Sequence, residues 1–348
     1  MDKMTLLVDM GWLTRSRLHI YNEKLLKTTP DHIKEAVGDE FEELLARSIS
    51  RMLRQFPDID NIILCCEGGS WRKSLKPKTE YKATRVQEDD HDWDYIYKRI
   101  NSFIDRCKQL GITCGTGYGI EGDDWAWWWS EQLNQQGIST MIWTSDCDLK
   151  QLVKVVGNAF TCWYNEKNGL VLPLECKYQD DPLEAMLNPS FSTPVLENIR
   201  RIIPKQEYIS GPQIVINKIL CGDKSDNIAS FATFKKNNRT YGFTDKDYLK
   251  LQGKVTLLTV EQAISSKEQI INEVLKSKKF QVCSREEMSE NFDYNTKLVW
   301  LDYLSYPQGI LEQMKNLEYK QKDMTDIRSD YHTLLKQDDY ISSLFDEL

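Results

Sequence analysis

Acidic residues follow three apolar segments of this sequence, where each segment ends. TLLVD ends at Asp9, NIILCCE ends at Glu67, and ISTMIWTSD ends at Asp146. Short apolar runs of this kind indicate buried strands, and sites in α/β sheets form at the carboxyl ends of parallel strands. We therefore expect the three carboxylates to meet at one edge of a sheet, where they could hold a cation.

The segment EGDDWAWWW places further acids directly before a group of tryptophans. The acids are Glu121, Asp123 and Asp124. Trp125, Trp128 and Trp129 are spaced to share one helix face, which we interpret as core, while Trp127 falls on another face. The acids then occupy the first helical turn, and so much charge beside a core is costly unless a cation offsets it.

Two later segments complete the set of acids. Asp148 follows Asp146 by two residues, and CGDKSDNI contributes Asp223 and Asp226, which would face the same way on a helical turn. Any one of these residues could instead be a helix cap or a solvated side chain, so their joint placement carries the prediction. The nine candidate metal ligands are Asp9, Glu67, Glu121, Asp123, Asp124, Asp146, Asp148, Asp223 and Asp226.

The oxygen-only ligand set predicts the kind of ion. Carboxylates without histidine or cysteine favour magnesium, or manganese in its place, over zinc. Mg²⁺ binds few carboxylates directly and keeps several waters, so the number of acids indicates two ions. Two ions about 3.5–4 Å apart assist in-line displacement at phosphorus. The acids therefore predict a site suited to displacement at phosphorus.

A basic segment, WRKSLKPKTEYKATR at residues 71–85, follows Glu67 closely. Lys78, Lys82 and Arg85 would form one stripe if the segment were helical. With an aromatic ring for stacking, such a stripe is typical of single-strand binding, although a solvated loop is the alternative. The candidate nucleic-acid contacts are Arg72, Lys73, Lys78, Tyr81, Lys82 and Arg85.

Strands and helices alternate up to about residue 185, and this predicts an α/β fold with a mainly parallel sheet and flanking helices. Residues 158–176 surround a Lys-Asn-Gly turn and predict a hairpin. The later sequence indicates a mostly helical region. We expect an α/β domain over 1–186, a mostly helical domain over 187–337 and a tail over 338–348.

The composition is that of an ordinary globular protein, with 28% charged and 41% hydrophobic residues among 348. The nine cysteines are scattered without zinc-site spacing, which indicates reduced thiols and a cytoplasmic location. We expect no membrane span, because apolar runs are short. The net charge of −8 would argue against a nucleic-acid partner, but without the nine candidate acids the chain is nearly neutral.

Six segments occur in the order typical of one family. The series LLVDMGWL, CEGG, YKATR, EGDD, TSDCDL and GDKSDNI resembles the 5′-nucleases, or flap endonucleases, with their PIN-like fold. The similarity covers about residues 9–228. The later stretch KLVWLDYLSYPQGI is similar to the carboxyl-terminal domain of the T-even type of phage ribonuclease H within this family.

The resemblance implies a 5′→3′ exonuclease and flap endonuclease that removes RNA primers during lagging-strand synthesis. Its substrates would be RNA–DNA hybrids, flaps, and nicked or gapped duplex DNA. Lys82 and Arg85 would contact the scissile phosphate as catalytic residues, Tyr81 would stack on the terminal base, and residues 71–94 would form an arch.

The resemblance also divides the acids between two ions, with Asp124 able to serve either. The ligands it implies for the first ion are Asp9, Glu67, Glu121, Asp123 and Asp146. Those it implies for the second, partly through water, are Asp148, Asp223 and Asp226.

Two features depart from the family pattern. Glu67 stands where an aspartate is usual, and the glycine-rich helix-hairpin-helix after GDKSDNI is missing. Lys235, Lys236 and Arg239 could replace that motif as phosphate contacts.

The tail at 338–348 resembles peptides that bind a sliding clamp, and a terminus without a partner is its alternative. A single-stranded DNA-binding protein is a second expected partner, and we expect a monomer in a host-cell cytoplasm. A non-cleaving, structure-specific DNA-binding protein and a PIN-type endoribonuclease remain alternatives for the whole chain.

Overall fold

The computed structural model describes residues 4–21, 23–75, 81–82, 90–177 and 193–335. Its main sheet has the strand order β3-β2-β1-β4-β6-β7-β8, with β5 paired to β6. Neighbours from β3 to β6 along this order run parallel, while β7 and β5 are antiparallel to β6. The strands are β1 (Met4–Asp9), β2 (Ile59–Cys65), β3 (Thr113–Gly115), β4 (Ser139–Trp143), β5 (Lys154–Val156), β6 (Ala159–Asn165), β7 (Gly169–Pro173) and β8 (Gln206–Ile209).

Helices cover both faces of this sheet. They are α1 (Met10–Leu18), α2 (Asp31–Gln55), α3 (Trp93–Gln109) and α4 (Gly122–Gln135). Successive β1 side chains point to opposite faces: Leu6 and Val8 join the core under α2 and α3, whereas Leu7 joins the core under α4. The α/β architecture predicted from the alternating pattern is confirmed.

The later half contains eight helices within the part of the chain that the structure describes. They are α5 (Pro194–Ile202), α6 (Gly211–Cys221), α7 (Asp245–Gln252), α8 (Val260–Ser265), α9 (Lys267–Leu275), α10 (Arg285–Val299), α11 (Gln308–Lys315) and α12 (Thr325–Ser329). The helices from α6 through α10 share a separate hydrophobic core, in which Ile219, Phe231 and Phe292 are fully buried.

A hairpin interrupts these helices, which the sequence reading did not anticipate. Strands β9 (Thr233–Lys236) and β10 (Arg239–Gly242) pair antiparallel. Asn237 and Asn238 between them have φ angles of 50° and 59°. Asparagine tolerates this left-handed region, and two such residues form the turn that matches strand twist. The hairpin occupies the sequence where the family's helix-hairpin-helix is missing.

The chain returns to the α/β half after α10. Tyr306 stacks on Trp127 with ring centroids 4.5 Å apart, and Ile310 and Met314 join the same core. All four tryptophans of α4 are buried. The returning segment covers the helix face that carries Trp127. The predicted boundary at residues 186 and 187 lies outside the described ranges, and the domain division stays a prediction.

None of the helices in the described ranges combines the length and the apolar character needed to cross a bilayer.

Candidate active site

The parallel strands bring their carboxyl ends to one edge of the sheet, as predicted. Asp9 is the last residue of β1, and its carboxylate accepts hydrogen bonds from the Thr144 hydroxyl at 2.5 Å and the Trp12 backbone N–H at 2.9 Å. Burial raises the pKa of Asp9 despite these donors, and the charge of Asp146 adds to the rise. This acid therefore has an unfavourable charge that a cation would relieve.

Glu67, two residues beyond β2, lies against two glycines. A Cβ atom on Gly11 would lie 2.8 Å from Glu67 Oε1, and one on Gly122 would lie 3.2 Å from the same oxygen. Restricted solvation raises the pKa of Glu67 to about 7, with the charges of Asp9 and Glu121 contributing. The glycines thus make room for the longer side chain that stands where the family has aspartate.

The first turn of α4 contains the EGDD acids in different environments. Asp123 is half-buried, and burial followed by the charge of Asp146 raises its pKa. Asp124 is 0% exposed. Its carboxylate accepts from the Glu121 backbone N–H at 2.9 Å and the Tyr306 hydroxyl at 2.6 Å, and pairs with Arg72 at 2.8 Å. Protein donors hold both of its carboxylate oxygens, as they do those of Glu121, and the role of Asp124 as a metal ligand stays a prediction.

Glu121 is surrounded by donors. Ser70 and Arg72 donate to Oε2 at 2.6 and 2.9 Å, and Lys82 donates to Oε1 at 2.6 Å. Burial alone would raise the pKa of Glu121, but the two cations hold it below its usual value. Glu121 is therefore ionised and neutralised by the protein itself.

Arg72 lies in the interior and not on the surface that the sequence reading expected. Its side chain is 2% exposed and also donates to the Leu298 carbonyl at 3.1 Å. A buried guanidinium requires such partners, and Glu121 and Asp124 supply the opposing charge. Arg72 thus joins the sheet edge to α10.

A second group of acids lies beside the first. Asp146 caps the short 3₁₀ turn Cys147–Leu152 by accepting from the Asp148 backbone N–H at 2.8 Å. Burial and the charge of Asp146 raise the pKa of Asp148 to about 6. Burial would also raise the pKa of Asp223, but hydrogen bonds from Lys218 and Ser225 lower it to about 2.

Asp223 and Asp226 lie in a turn and not on the helix that their spacing suggested. Gly222 ends α6 with a φ of 77°, and Asp223 and Ile228 then exchange backbone hydrogen bonds of 2.8 and 2.7 Å. The turn nevertheless directs both acids towards one pocket.

That pocket joins acids from both halves of the chain. The acids that line it are Glu121, Asp123, Asp148, Asp223 and Asp226. Over the described ranges, no three acidic, histidine or cysteine side chains lie close enough together to hold a metal ion. Instead, Lys82 pairs with Glu121, and Lys218 lies between Asp148 and Asp223. The donor chemistry fits a hard divalent cation, while the coordination shell is not preassembled.

Apart from the buried Arg72, the candidate nucleic-acid residues fall into three groups. Tyr81 lines the pocket, and the Lys82 ammonium lies 5.0 Å from its ring centroid. Lys82 has a φ of 57°, so a helical stripe does not continue through this residue. Lys78 and Arg85 lie outside the described residues. The exposed group consists of Lys73, Lys235, Lys236 and Arg239.

Several residues of the site were missed by the sequence reading. Thr144 and Tyr306 hold Asp9 and Asp124, and Lys218 on α6 contacts both Asp148 and Asp223. The position of Lys218, five residues before Asp223, is visible in the sequence. The sequence does not show that Lys218 contacts Asp148, which lies seventy residues earlier.

The fold is shared with solved structures of bacteriophage T5 proteins. A bacteriophage T5 flap endonuclease, in a pseudo-enzyme-product complex with DNA and metal ions, superposes with a TM-score of 0.54 at 14% identity, over 94% of this chain and 100% of that chain. A T5 protein co-crystallised with metal ions superposes with a TM-score of 0.54 at 14% identity, over 90% of this chain and 98% of that chain. At this identity the likeness establishes the fold.

A curated relative supports the same resemblance. A stretch of 145 residues is 29% identical to the 5′-3′ exonuclease of Buchnera aphidicola subsp. Acyrthosiphon pisum (strain APS), covering 40% of this chain and 47% of that protein. The match therefore spans about half of that relative. No protein-family model matches the chain. The predicted resemblance to the 5′-nucleases is confirmed.

Proposed function

We propose that this chain is a divalent-cation-dependent phosphodiesterase acting at the 5′ ends of duplexes, as a 5′→3′ exonuclease and 5′-flap endonuclease with ribonuclease H activity. The observation that carries the proposal is the pocket lined by acids of both halves, beside the acidic edge of the sheet. The fold shared with the T5 proteins supports it.

The proposed ions are two Mg²⁺, for which Mn²⁺ would substitute. Burial raises the pKa values of Asp9 and Asp123, and an ion would remove this unfavourable charge. A bound pair would supply an activated water and stabilise charge on the phosphodiester. The ligands proposed for the first ion are Asp9, Glu67, Glu121, Asp123 and Asp146. Those proposed for the second ion are Asp148, Asp223 and Asp226.

Lys82 and Tyr81 are the described residues best placed to bind the 5′ strand. Tyr81 lines the pocket and Lys82 lies over its ring. We propose that the ring stacks on a base and that Lys82, together with Arg85, stabilises developing phosphate charge. Arg72 would support Glu121 from the interior and would not contact nucleic acid, and Asp124 is proposed as a ligand able to serve either ion.

The β9–β10 hairpin is proposed to bind duplex DNA in place of the missing glycine-rich motif. Lys235, Lys236 and Arg239 are exposed along it. Exposed basic side chains suit phosphate contacts, which position a duplex without reading its sequence.

The proposed role in the cell is the removal of RNA primers and adjacent DNA during lagging-strand replication. The sliding clamp, bound through residues 338–348, and a single-stranded DNA-binding protein are the proposed partners. A monomer in the host cytoplasm completes the proposal.

The direct test is digestion of a 5′-labelled flap substrate with Mg²⁺ or with EDTA, read at nucleotide resolution. We expect cleavage near the junction and short 5′ products with Mg²⁺ alone. Identical lanes would favour a binding protein that does not cleave. Cleavage restricted to structured single-stranded RNA without a free 5′ end would favour an endoribonuclease.

A further inference from the structure

Lys218 makes a contact that the proposed chemistry does not use. Its ammonium donates to Asp223 Oδ2 at 2.6 Å and also to Asp148 Oδ1. The lysine side chain is 17% exposed, and the two acids, Asp148 and Asp223, are 30% and 12% exposed. One cation thus bridges an acid of the sheet edge and an acid of the later half.

The position of this ammonium bears on metal binding. Asp148 and Asp223 both line the pocket, and both are proposed ligands of the second ion. An ammonium donating to both occupies the space between them. A divalent ion and an ammonium cannot share that space, because like charges a few ångströms apart repel strongly when partly shielded from water.

We propose that Lys218 is a built-in counter-ion that takes the place of the second divalent cation in the metal-free protein and moves away when that cation binds. The inference rests on the proposed function, because it concerns the same metal pocket. Lys218 is a positioning residue: it holds Asp148 and Asp223 together without metal, and it opposes entry of the second ion.

The first test measures Mn²⁺ binding in wild type, Lys218→Met and Lys218→Arg, with free Mn²⁺ followed by electron paramagnetic resonance. Removing the competing charge should tighten the weaker Mn²⁺ site by about tenfold or more. Lys218→Arg keeps the charge and should bind Mn²⁺ more weakly than Lys218→Met does. An unchanged or weaker second site in Lys218→Met would overturn the inference.

Lys279→Met is the matched control. Lys279 also forms an ion pair, 2.7 Å from Asp247, and its side chain is 35% exposed, but neither residue lines the metal pocket. This variant removes one charge and should leave Mn²⁺ binding unchanged. If wild type binds two ions and Lys218→Met behaves as wild type, only the counter-ion inference fails. If wild type binds none, the proposed function fails with it.

A second test needs no mutation and guards against a variant that does not fold. Wild-type protein is acetylated briefly with acetic anhydride, with and without saturating Mn²⁺, and each lysine is quantified by mass spectrometry. Lys218 should react several-fold faster with Mn²⁺, because the ion releases it from its acids, while Lys279 should not change. Slower or unchanged acetylation of Lys218 would contradict the inference.

Discussion

At the scale of single residues, acids that look equivalent in the sequence differ in what surrounds them. Glu121 is neutralised by Arg72 and Lys82, and its pKa is low. Asp123 lies close by with its pKa raised by burial and by Asp146. The environment, and not the residue type, therefore decides which acids would gain most from a divalent ion.

Asp146 offers the clearest test of the proposed catalysis. The change Asp146→Asn keeps the shape but removes a charge that faces Asp9, Asp123 and Asp148. We expect Mg²⁺-dependent flap cleavage to fall by at least about 100-fold, because removing a metal ligand costs more than removing a residue that only orients one. Binding of the flap, measured by fluorescence anisotropy, should persist. Full turnover by this variant would contradict the assignment.

Glu67 provides a pH test in the absence of metal. Its pKa is raised from 4.5 to about 7 in the folded protein, so its contribution to stability is present below pH 4.5 and is lost as the pH rises through about 7. Glu67→Gln cannot ionise. We expect it to be about 1 kcal/mol more stable than wild type at pH 8, since exposure of the side chain screens part of the effect.

The measurement for Glu67 is urea unfolding in EDTA at pH 4.5 and pH 8. The two proteins should converge in stability at pH 4.5, where the carboxyl group is protonated in the folded wild type. A Gln variant that is less stable at pH 8 would show that the Glu67 charge is already compensated without metal.

At the scale of elements, periodicity predicted most of the strands and helices of the α/β half. β1 ends at Asp9 as predicted, whereas β2 ends at Cys65 and β4 at Trp143, two and three residues before their acids. Contacts between distant segments could not be predicted. The basic segment around Arg72 predicts an exposed side chain. In the structure Arg72 is buried, and it contacts Leu298 and Tyr306 of the later half.

Tyr306 joins the returning segment to α4 through Asp124. Tyr306→Phe keeps the ring stacked on Trp127 but leaves Asp124 Oδ1 without the hydroxyl that donates to it at 2.6 Å. Arg72 still pairs with this oxygen, so the variant loses one hydrogen bond to a charged group. Such a bond is worth about 1.5–3 kcal/mol, and we expect a decrease in stability of that size in urea. Tyr303→Phe is the control, because Tyr303 is 37% exposed and its hydroxyl accepts a hydrogen bond from Gln132 at the surface. Equal decreases would refute a special role for Tyr306.

The hairpin and Lys82 should affect different steps of catalysis. Lys235→Ala with Lys236→Ala should weaken duplex binding and reduce the slope of log affinity against log salt by about 2, one unit for each phosphate that is no longer neutralised. Lys82→Ala should lower kcat much more than it weakens binding. Salt titrations and single-turnover kinetics separate these effects. If Lys82→Ala and the double variant reduced kcat equally, Lys82 would only help to bind the substrate.

At the scale of the whole molecule, the pocket requires chain segments far apart in sequence. Lys82 joins the two halves at this point: its side chain binds Glu121, and its backbone N–H donates to the Asp226 carbonyl at 3.1 Å. The sequence could predict that the acids converge, since strand ends share an edge. It could not predict that Lys218 lies between Asp148 and Asp223, because that contact depends on how α6 packs against the sheet.

In the proposed mechanism, acids of both halves hold a pair of divalent ions. The most direct measurement is anomalous diffraction at the manganese edge from crystals of the protein soaked in Mn²⁺. We predict two anomalous peaks, one among Asp9, Asp123 and Asp146 and one among Asp148, Asp223 and Asp226. Fully occupied Mn²⁺ elsewhere on the surface, with no peak between these carboxylates, would contradict the account.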